Sequence, residues 1–225
     1  MCTGRIDPGL VFRGFANGAD GIIIVGCRLN ECNYTTHGNY SALNKTHLCK
    51  QIMEHIGFNP ARLRIEFLSS GEGILFTEVV NDFVASIKQL GPPGSSEGVD
   101  AAELRSKARQ TVRLVPYIKL AMKDKLAARP ATREEYGRLY TRDDMDRLFG
   151  EAVSYHIDPE KCRACMMCLR RCPVEAIIGG KGQKHAIDQE KCIRCGTCLQ
   201  VCPPRFSAVA AVPAPERLLL SRRPR

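Results

Sequence analysis

Two stretches of this 225-residue chain carry the residue types and spacing with the most definite chemistry. Lys161–Pro173 reads KCRACMMCLRRCP, and Lys191–Pro203 reads KCIRCGTCLQVCP. Each is C-x2-C-x2-C-x3-C-P, and the second follows the first by 30 residues. The duplication extends outward, since Asp158-Pro-Glu-Lys is echoed by Asp188-Gln-Glu-Lys. Repeated thiolates at such short intervals are iron–sulfur ligands. Three cysteines three residues apart wrap a turn of chain around three irons of a cubane. A further cysteine at the same short interval would not reach the fourth.

This is the spacing of a bacterial two-cluster ferredoxin, in which the last cysteine of each run serves the other cluster. On that pattern Cys162, Cys165, Cys168 and Cys202 hold one [4Fe–4S] cluster, and Cys192, Cys195, Cys198 and Cys172 hold a second. Pro173 and Pro203 stop a helix from swallowing the last ligand of each run. The competing readings fit less well. Zinc prefers separated cysteine pairs closed tetrahedrally, and disulfides need an oxidising compartment.

Length allows two small domains and a connector. Hydrophobic residues make up 44% and aromatics 6%, with no Trp, so the apolar core is expected to be ordinary and largely aliphatic. The formal charge is +9, but each oxidised cubane with its thiolates contributes about −2, which leaves roughly +5. No apolar run approaches a membrane span, GIIIVG at Gly21–Gly26 being far too short, and the N-terminus does not read as a signal peptide. The expected location is the cytoplasm.

The elements before the cysteines alternate. Pro8–Asn17 reads as a helix with Leu10, Val11 and Phe15 apolar, and Asp20–Gly26 as a strand buried on both faces. Ser41–Ile56 carries a helical stripe of Leu43, Leu48, Ile52 and Ile56, and Arg62–Leu68 alternates as a second strand. Ser69-Ser-Gly-Glu-Gly then turns into a helix to Leu90 with Val79, Phe83 and Ile87 on its apolar face. Helices alternating with buried strands predict an α/β domain built on a small parallel sheet.

The pieces MCTGRIDP, FANGADGIIIVGC, ECNY, GNYSAL and SSGEG, over residues 1–91, resemble the delta subunit of methyl-viologen-reducing hydrogenase. The resemblance implies a subunit that passes electrons between an electron-donating enzyme and the flavin subunit of heterodisulfide reductase or its relatives. It also implies a [2Fe–2S] cluster, for which Cys2, Cys27 and Cys32 are the matching ligands. Cys49, on the predicted second helix, reads as a core residue. Arg28, Asn30 and Glu31 depart from the family, which more often shows His and Gly-Asp there. The family usually carries a further segment with more cysteine ahead of MCTGR. Some members use selenocysteine in it, whose codon can be misread as a stop, so coding sequence upstream of Met1 is expected.

Gly91–Gly98 is a turn-rich linker, and Asp100 with Glu103 opens a helix in capping-box fashion. Leu104, Ala108, Val112, Val115, Ile118, Met122 and Leu126 keep helical spacing through Pro116, which should kink the rod. Residues 101–129 hold eight basic and two acidic side chains, but with Tyr117 alone there is no aromatic interleaving for base stacking, so a solvated or protein-docking face is expected rather than nucleic-acid binding. Helix starts follow at Thr132 and Thr141. Near the clusters, Arg163, Arg170, Arg171, Lys184 and Arg194 are expected to favour the reduced state.

The resulting organisation is a delta-subunit-like α/β domain at 1–91, a linker and basic helical connector at 92–150, an α+β ferredoxin-like two-[4Fe–4S] domain at 151–212 and a basic tail at 213–225. The function expected is that of a non-catalytic electron-transfer subunit. It would link a hydrogenase, formate dehydrogenase or other oxidoreductase to a heterodisulfide-reductase-like flavin subunit. The alternative is a redox enzyme acting on a small substrate in the α/β domain. The five histidines, at 37, 47, 55, 156 and 185, are scattered and read as structural.

Overall fold

The structure is a computed structural model that describes residues 2–34, 37–150 and 152–213. Contacts divide the described chain into two compact units, the first made of 2–115 and 122–146, the second of 116–121 and 147–213.

The first unit is built on two parallel strands, β1 (Ile22–Gly26) and β2 (Leu63–Phe67), in the register Ile24↔Ile65. Helix α1 (Pro8–Ala16) starts where the Asp7 carboxylate accepts from the Gly9 amide at 2.8 Å, with Pro8 set for the first helical position. Helix α2 (Asn39–Ile56) stops at Gly57, whose φ of 95° is the left-handed cap glycine tolerates. Val11, Phe12 and Phe15 of α1 meet Leu43, Leu48, Ile52 and Ile56 of α2 in a core with Ile24, Leu63 and Ile65. Leu10, expected to be inward, is 54% exposed: the buried set is Val11, Phe12, Phe15 and Ala16, and Leu10 falls on its flank. Strand β1 is not sealed on both faces either, since Ile22, Ile23 and Val25 are only half-buried.

Helix α3 (Gly73–Leu90) approaches Gly21 so closely that a Cβ there would lie 2.6 Å from Ile87 Cδ1. Of its expected apolar face, Phe83 is buried, whereas Val79 and Ile87 are partly covered. Arg62, fully buried, donates to both carboxylate oxygens of Glu97, at 2.6 and 3.1 Å, and to the carbonyls of Asp20, Gly91 and Pro92. That pair fixes the Gly91–Gly98 turns.

Helix α4 (Ala101–Ala121) opens on Asp100, whose carboxylate accepts from the amides of Ala102 and Glu103, and it runs through Pro116. The stripe expected to reach Leu126 is interrupted: α4 ends at Ala121, and Met122, with φ −101° and ψ 16°, starts the short helix α5 (Lys123–Ala127). Helices α6 (Arg133–Arg138) and α7 (Arg142–Gly150) begin at Thr132 and Thr141, and at the second the bonds are reciprocal: Thr141 Oγ1 accepts from the Asp144 amide, and Asp144 from the Thr141 amide.

In the second unit the 30-residue repeat is a repeat of structure. Strand β3 (Val153–Ile157) pairs antiparallel with β6 (Val209–Pro213), and β4 (Ile177–Ile178) with β5 (Ala186–Ile187). The Asp158 amide donates to Ala208 O at 2.8 Å, and the Asp188 amide to Ala176 O at 2.8 Å. Short helices α8 (Met167–Arg171) and α9 (Thr197–Val201) end each cysteine run. Of the expected basic tail, Pro213 closes β6, and 214–225 lie outside the described residues.

Candidate metal centres

Each cysteine run reverses through two residues of positive φ: Ala164 (51°) and Met166 (64°) in the first, Arg194 (56°) and Gly196 (77°) in the second. Amides in and around these loops point at sulfur. Arg194 N donates to Cys192 Sγ at 3.4 Å, Ala176 N to Cys172 Sγ at 3.2 Å and His185 N to Cys162 Sγ at 3.5 Å. Thr197 Oγ1 lies 3.2 Å from Cys195 Sγ.

Two hollows result. One is lined by Cys162, Cys165, Cys168 and Cys202, with Ile157, Phe206 and His185 closing it. The other is lined by Cys172, Cys192, Cys195 and Cys198 beneath Tyr155, Ile177 and Ile187. In each, three thiols come from one run and the fourth from its twin. Among the described residues no three His, Cys, Asp or Glu side chains converge as a single metal ion requires; the sulfurs stand around a space instead. Burial, with Cys192 and Cys195 nearby, pushes the Cys198 thiol up to about 11. Burial also raises Cys168 and Cys192, the latter against the amide and charge of Arg194. Such crowded thiols give up their protons readily only to a cationic centre. Four soft donors, an apolar wall and inward amides fit a cubane.

Cys2, Cys27 and Cys32 are gathered at one end of the parallel sheet. Cys2 Sγ lies 3.7 Å from Cys32 Sγ, and the Gly4 amide donates to Cys2 Sγ at 3.4 Å. Cys32 rests on Gly38, where a Cβ would collide with its sulfur, at the N-terminus of α2. Burial would raise the Cys32 thiol, but the amides of Tyr34 and Asn39 and contacts with Cys27 and Cys2 outweigh it and hold it below the usual range. Cys27 is exposed and shifts upward, through partial burial and the neighbouring thiols. Glu72 of the SSGEG turn pairs with Arg28 and accepts from the Ser69 amide at 2.6 Å. Three thiols are a partial donor set for a [2Fe–2S] cluster. Cys49 stands apart, ten residues into α2, and its complete burial drives its thiol up. A roomier hollow, of about 320 Å3, lies between Gln51–Asn59 and Arg142 and has no thiol in its wall.

Sequence reasoning passed over Tyr155, read His185 as structural and treated Arg194 like the exposed arginines; Tyr155 and His185 cover opposite hollows. The signal was present. At the 30-residue offset Tyr155 stands opposite His185, and Ala164 opposite Arg194.

Twin four-thiol hollows in an α+β unit define the class, an iron–sulfur protein. Residues 154–203 match the 4Fe-4S dicluster domain, and residues 1–91 match the methyl-viologen-reducing hydrogenase, delta subunit. The chain belongs to the methyl-viologen-reducing hydrogenase delta-subunit family. It is 42% identical over 91 residues to the iron-sulfur subunit of the F420-non-reducing hydrogenase of Archaeoglobus profundus, covering 40% of this chain and 66% of that one. The corresponding iron-sulfur subunit from Methanocaldococcus jannaschii is 35% identical over 91 residues, 40% of this chain and 67% of the relative. A much longer relative, from the ferredoxin/F420H2-dependent CoB-CoM heterodisulfide reductase of Methanosarcina acetivorans, is 39% identical over 95 residues, 42% of this chain but 12% of the relative. The chain thus spans about two thirds of the hydrogenase subunits and a small part of the reductase polypeptide. Among the described residues no helix is long and apolar enough to cross a membrane.

Proposed function

We propose that the chain is an iron–sulfur electron-transfer subunit of a multi-subunit oxidoreductase, working in the cytoplasm between a hydrogenase, formate dehydrogenase or similar enzyme and a heterodisulfide-reductase-like flavin subunit. Residues 151–212 form the two-[4Fe–4S] domain, 1–91 the delta-subunit domain, and 92–150 connect them. Cys162, Cys165, Cys168 and Cys202 would hold one cubane and Cys172, Cys192, Cys195 and Cys198 the other; Cys2, Cys27 and Cys32 would contribute to a [2Fe–2S] centre. When bound, each cluster accepts and releases a single electron. The chain's own residues exclude water with Ile157, Ile177, Ile187 and Phe206, and aim amides at the sulfurs that take on charge.

The observation that carries this reading is the exchange of the fourth thiol between the two runs. Its test is iron and acid-labile sulfide analysis of anaerobically purified full chain, with EPR of the dithionite-reduced protein. About eight irons and eight sulfides are expected from the cages, and about two more of each from the N-terminal centre. Well under eight irons, or stoichiometric zinc, would overturn it.

A further inference from the structure

The two cages differ most at one pair of twin positions, Ala164 and Arg194. Both adopt the same left-handed backbone turn, so only the side chain separates them. Arg194 is 6% exposed, and its Nε has no hydrogen-bond partner among the described residues. No carboxylate pairs with it among those residues. Its guanidinium carbon lies 6.0 Å from the centre of the Tyr117 ring, whose π face favours a cation but leaves its charge in place. A guanidinium does not escape burial by losing its proton. Arg194 stands between two ligands of the second cage, Cys192 and Cys195, and its own amide donates to Cys192 Sγ at 3.4 Å, so its charge lies beside that cage.

The first cage has more cations near it, but they differ in kind. Arg163 reaches the wall of the first hollow and Lys184 Nζ donates to Cys162 O at 2.7 Å, yet Arg163, Arg170, Arg171 and Lys184 are all exposed, so water and salt screen their charges. Its counterweight is His185, with Nδ1 3.5 Å from Cys168 Sγ and its amide 3.5 Å from Cys162 Sγ. Sulfur hydrogen bonds also favour a reduced cluster. The second cage matches them with the amides of Ala176 and Arg194 and the Thr197 hydroxyl. Hydrogen bonding is therefore nearly balanced between the cages, and buried charge is not.

We propose that Arg194 sets the two cubanes at different reduction potentials, making the one held by Cys172, Cys192, Cys195 and Cys198 the more easily reduced. The inference rests on the reading that both cages are loaded. A single electron moving from the first cage to the second then runs downhill. One cluster is oxidised by one electron, the other is reduced by one, and no proton or leaving group is involved. Arg194 is a positioning residue for charge, and it gives the pair of clusters a direction.

The test is an EPR-monitored redox titration of the full chain and of Arg194→Gln, Arg194→Lys and Ala164→Arg, each with iron analysis. The wild type should titrate in two separate one-electron steps. Arg194→Gln should lower the upper step alone, by about tenfold in the reduction equilibrium, or ~59 mV for a one-electron couple. Arg194→Lys should restore most of that shift, and Ala164→Arg should raise the lower step and narrow the gap. Coincident steps in the wild type, an unmoved upper step in iron-replete Arg194→Gln, or a shift of both steps together would overturn the proposal. If Arg194→Gln loses iron, Ala164→Arg decides: a lower step that does not rise refutes it. Wild-type protein with well under eight irons sinks the loading itself, a different failure from eight irons with equal potentials.

Discussion

The two units put their thiols in opposite relations to their cores. In the first, a hydrocarbon core of Phe12, Phe15, Leu43, Leu48, Ile52, Met53 and Ile56 takes in one thiol, Cys49, and the candidate ligands Cys2, Cys27 and the buried Cys32 lie at the end of the sheet. In the second the thiols are much of the core: Cys162 and Cys168 are buried with Ile157, Ile177, Ala208 and Val209, and Cys172, Cys198 and Cys202 pack against them. A unit whose interior is its ligand set has little left to hold it when the ligand goes. The largest expected effect follows from that contrast. Removing iron with a chelator under reducing conditions should unfold the second unit and leave the first folded. Hydrogen exchange would read this as lost protection over 153–213 and retained protection over α2 and β2. Uniform retention, or uniform loss, would break the comparison.

Within the second unit the exchange of ligands can be cut from either side. Cys202→Ser should remove the iron of the first cage, about four of about eight, and spare the second, whereas Cys172→Ser should do the reverse. Iron content and the reduced-state EPR signal distinguish them. Loss of the cluster on the same side as the substitution would mean that each run closes on itself.

The parts of this arrangement that were legible in the sequence are those written as local periodicity. Leu43, Leu48, Ile52 and Ile56 are all fully buried on one face of α2, and the apolar runs around Ile24 and Ile65 pair in parallel. The 30-residue repeat likewise announced twin loops. What stayed hidden depends on partners far away in the chain. Nothing near Arg62 indicates that Glu97, 35 residues on, will bury with it. Leu10 looks as apolar as Val11, and only the orientation of α1 on α2 decides which one faces water. Arg194 looks like Arg163 until Tyr117 covers it. Cys32 gives no sign in sequence that Gly38 will cradle its sulfur.

The Arg62–Glu97 pair sharpens the contrast in another way, because it makes the first unit sensitive to acid rather than to metal. Burial would raise the Glu97 carboxyl, but Arg62, the amides of Gly94 and Asn59 and the Ser96 hydroxyl outweigh it and hold it at about 2. An unfolded glutamate titrates near 4.3. The unfolded state therefore takes up its proton first, and the stabilisation, on the order of 3 kcal/mol, is complete above about pH 4.5 and lost as pH falls toward 2. Glu97→Gln should remove that pH dependence. At neutral pH it should cost about 3–5 kcal/mol, since Arg62 is left charged and buried, and denaturant unfolding of the first unit would measure it.

The smallest effects separate the thiol corner of the first unit from its surface. A methyl group at Gly38 would run into Cys32 Sγ and the Tyr34 carbonyl. Gly38→Ala should therefore destabilise the first unit by about 1–3 kcal/mol and remove any iron held by Cys2, Cys27 and Cys32, while the cages keep about eight. Gly73, at the start of α3, meets nothing within 4 Å. Gly73→Ala should be stabilising by about 0.4–1 kcal/mol, because the added methyl restricts the unfolded chain at a position the helix already occupies. Thermal unfolding of the two variants should then shift in opposite directions. If Gly38→Ala behaved like Gly73→Ala, the cysteine corner would be no more tightly built than an exposed helix end.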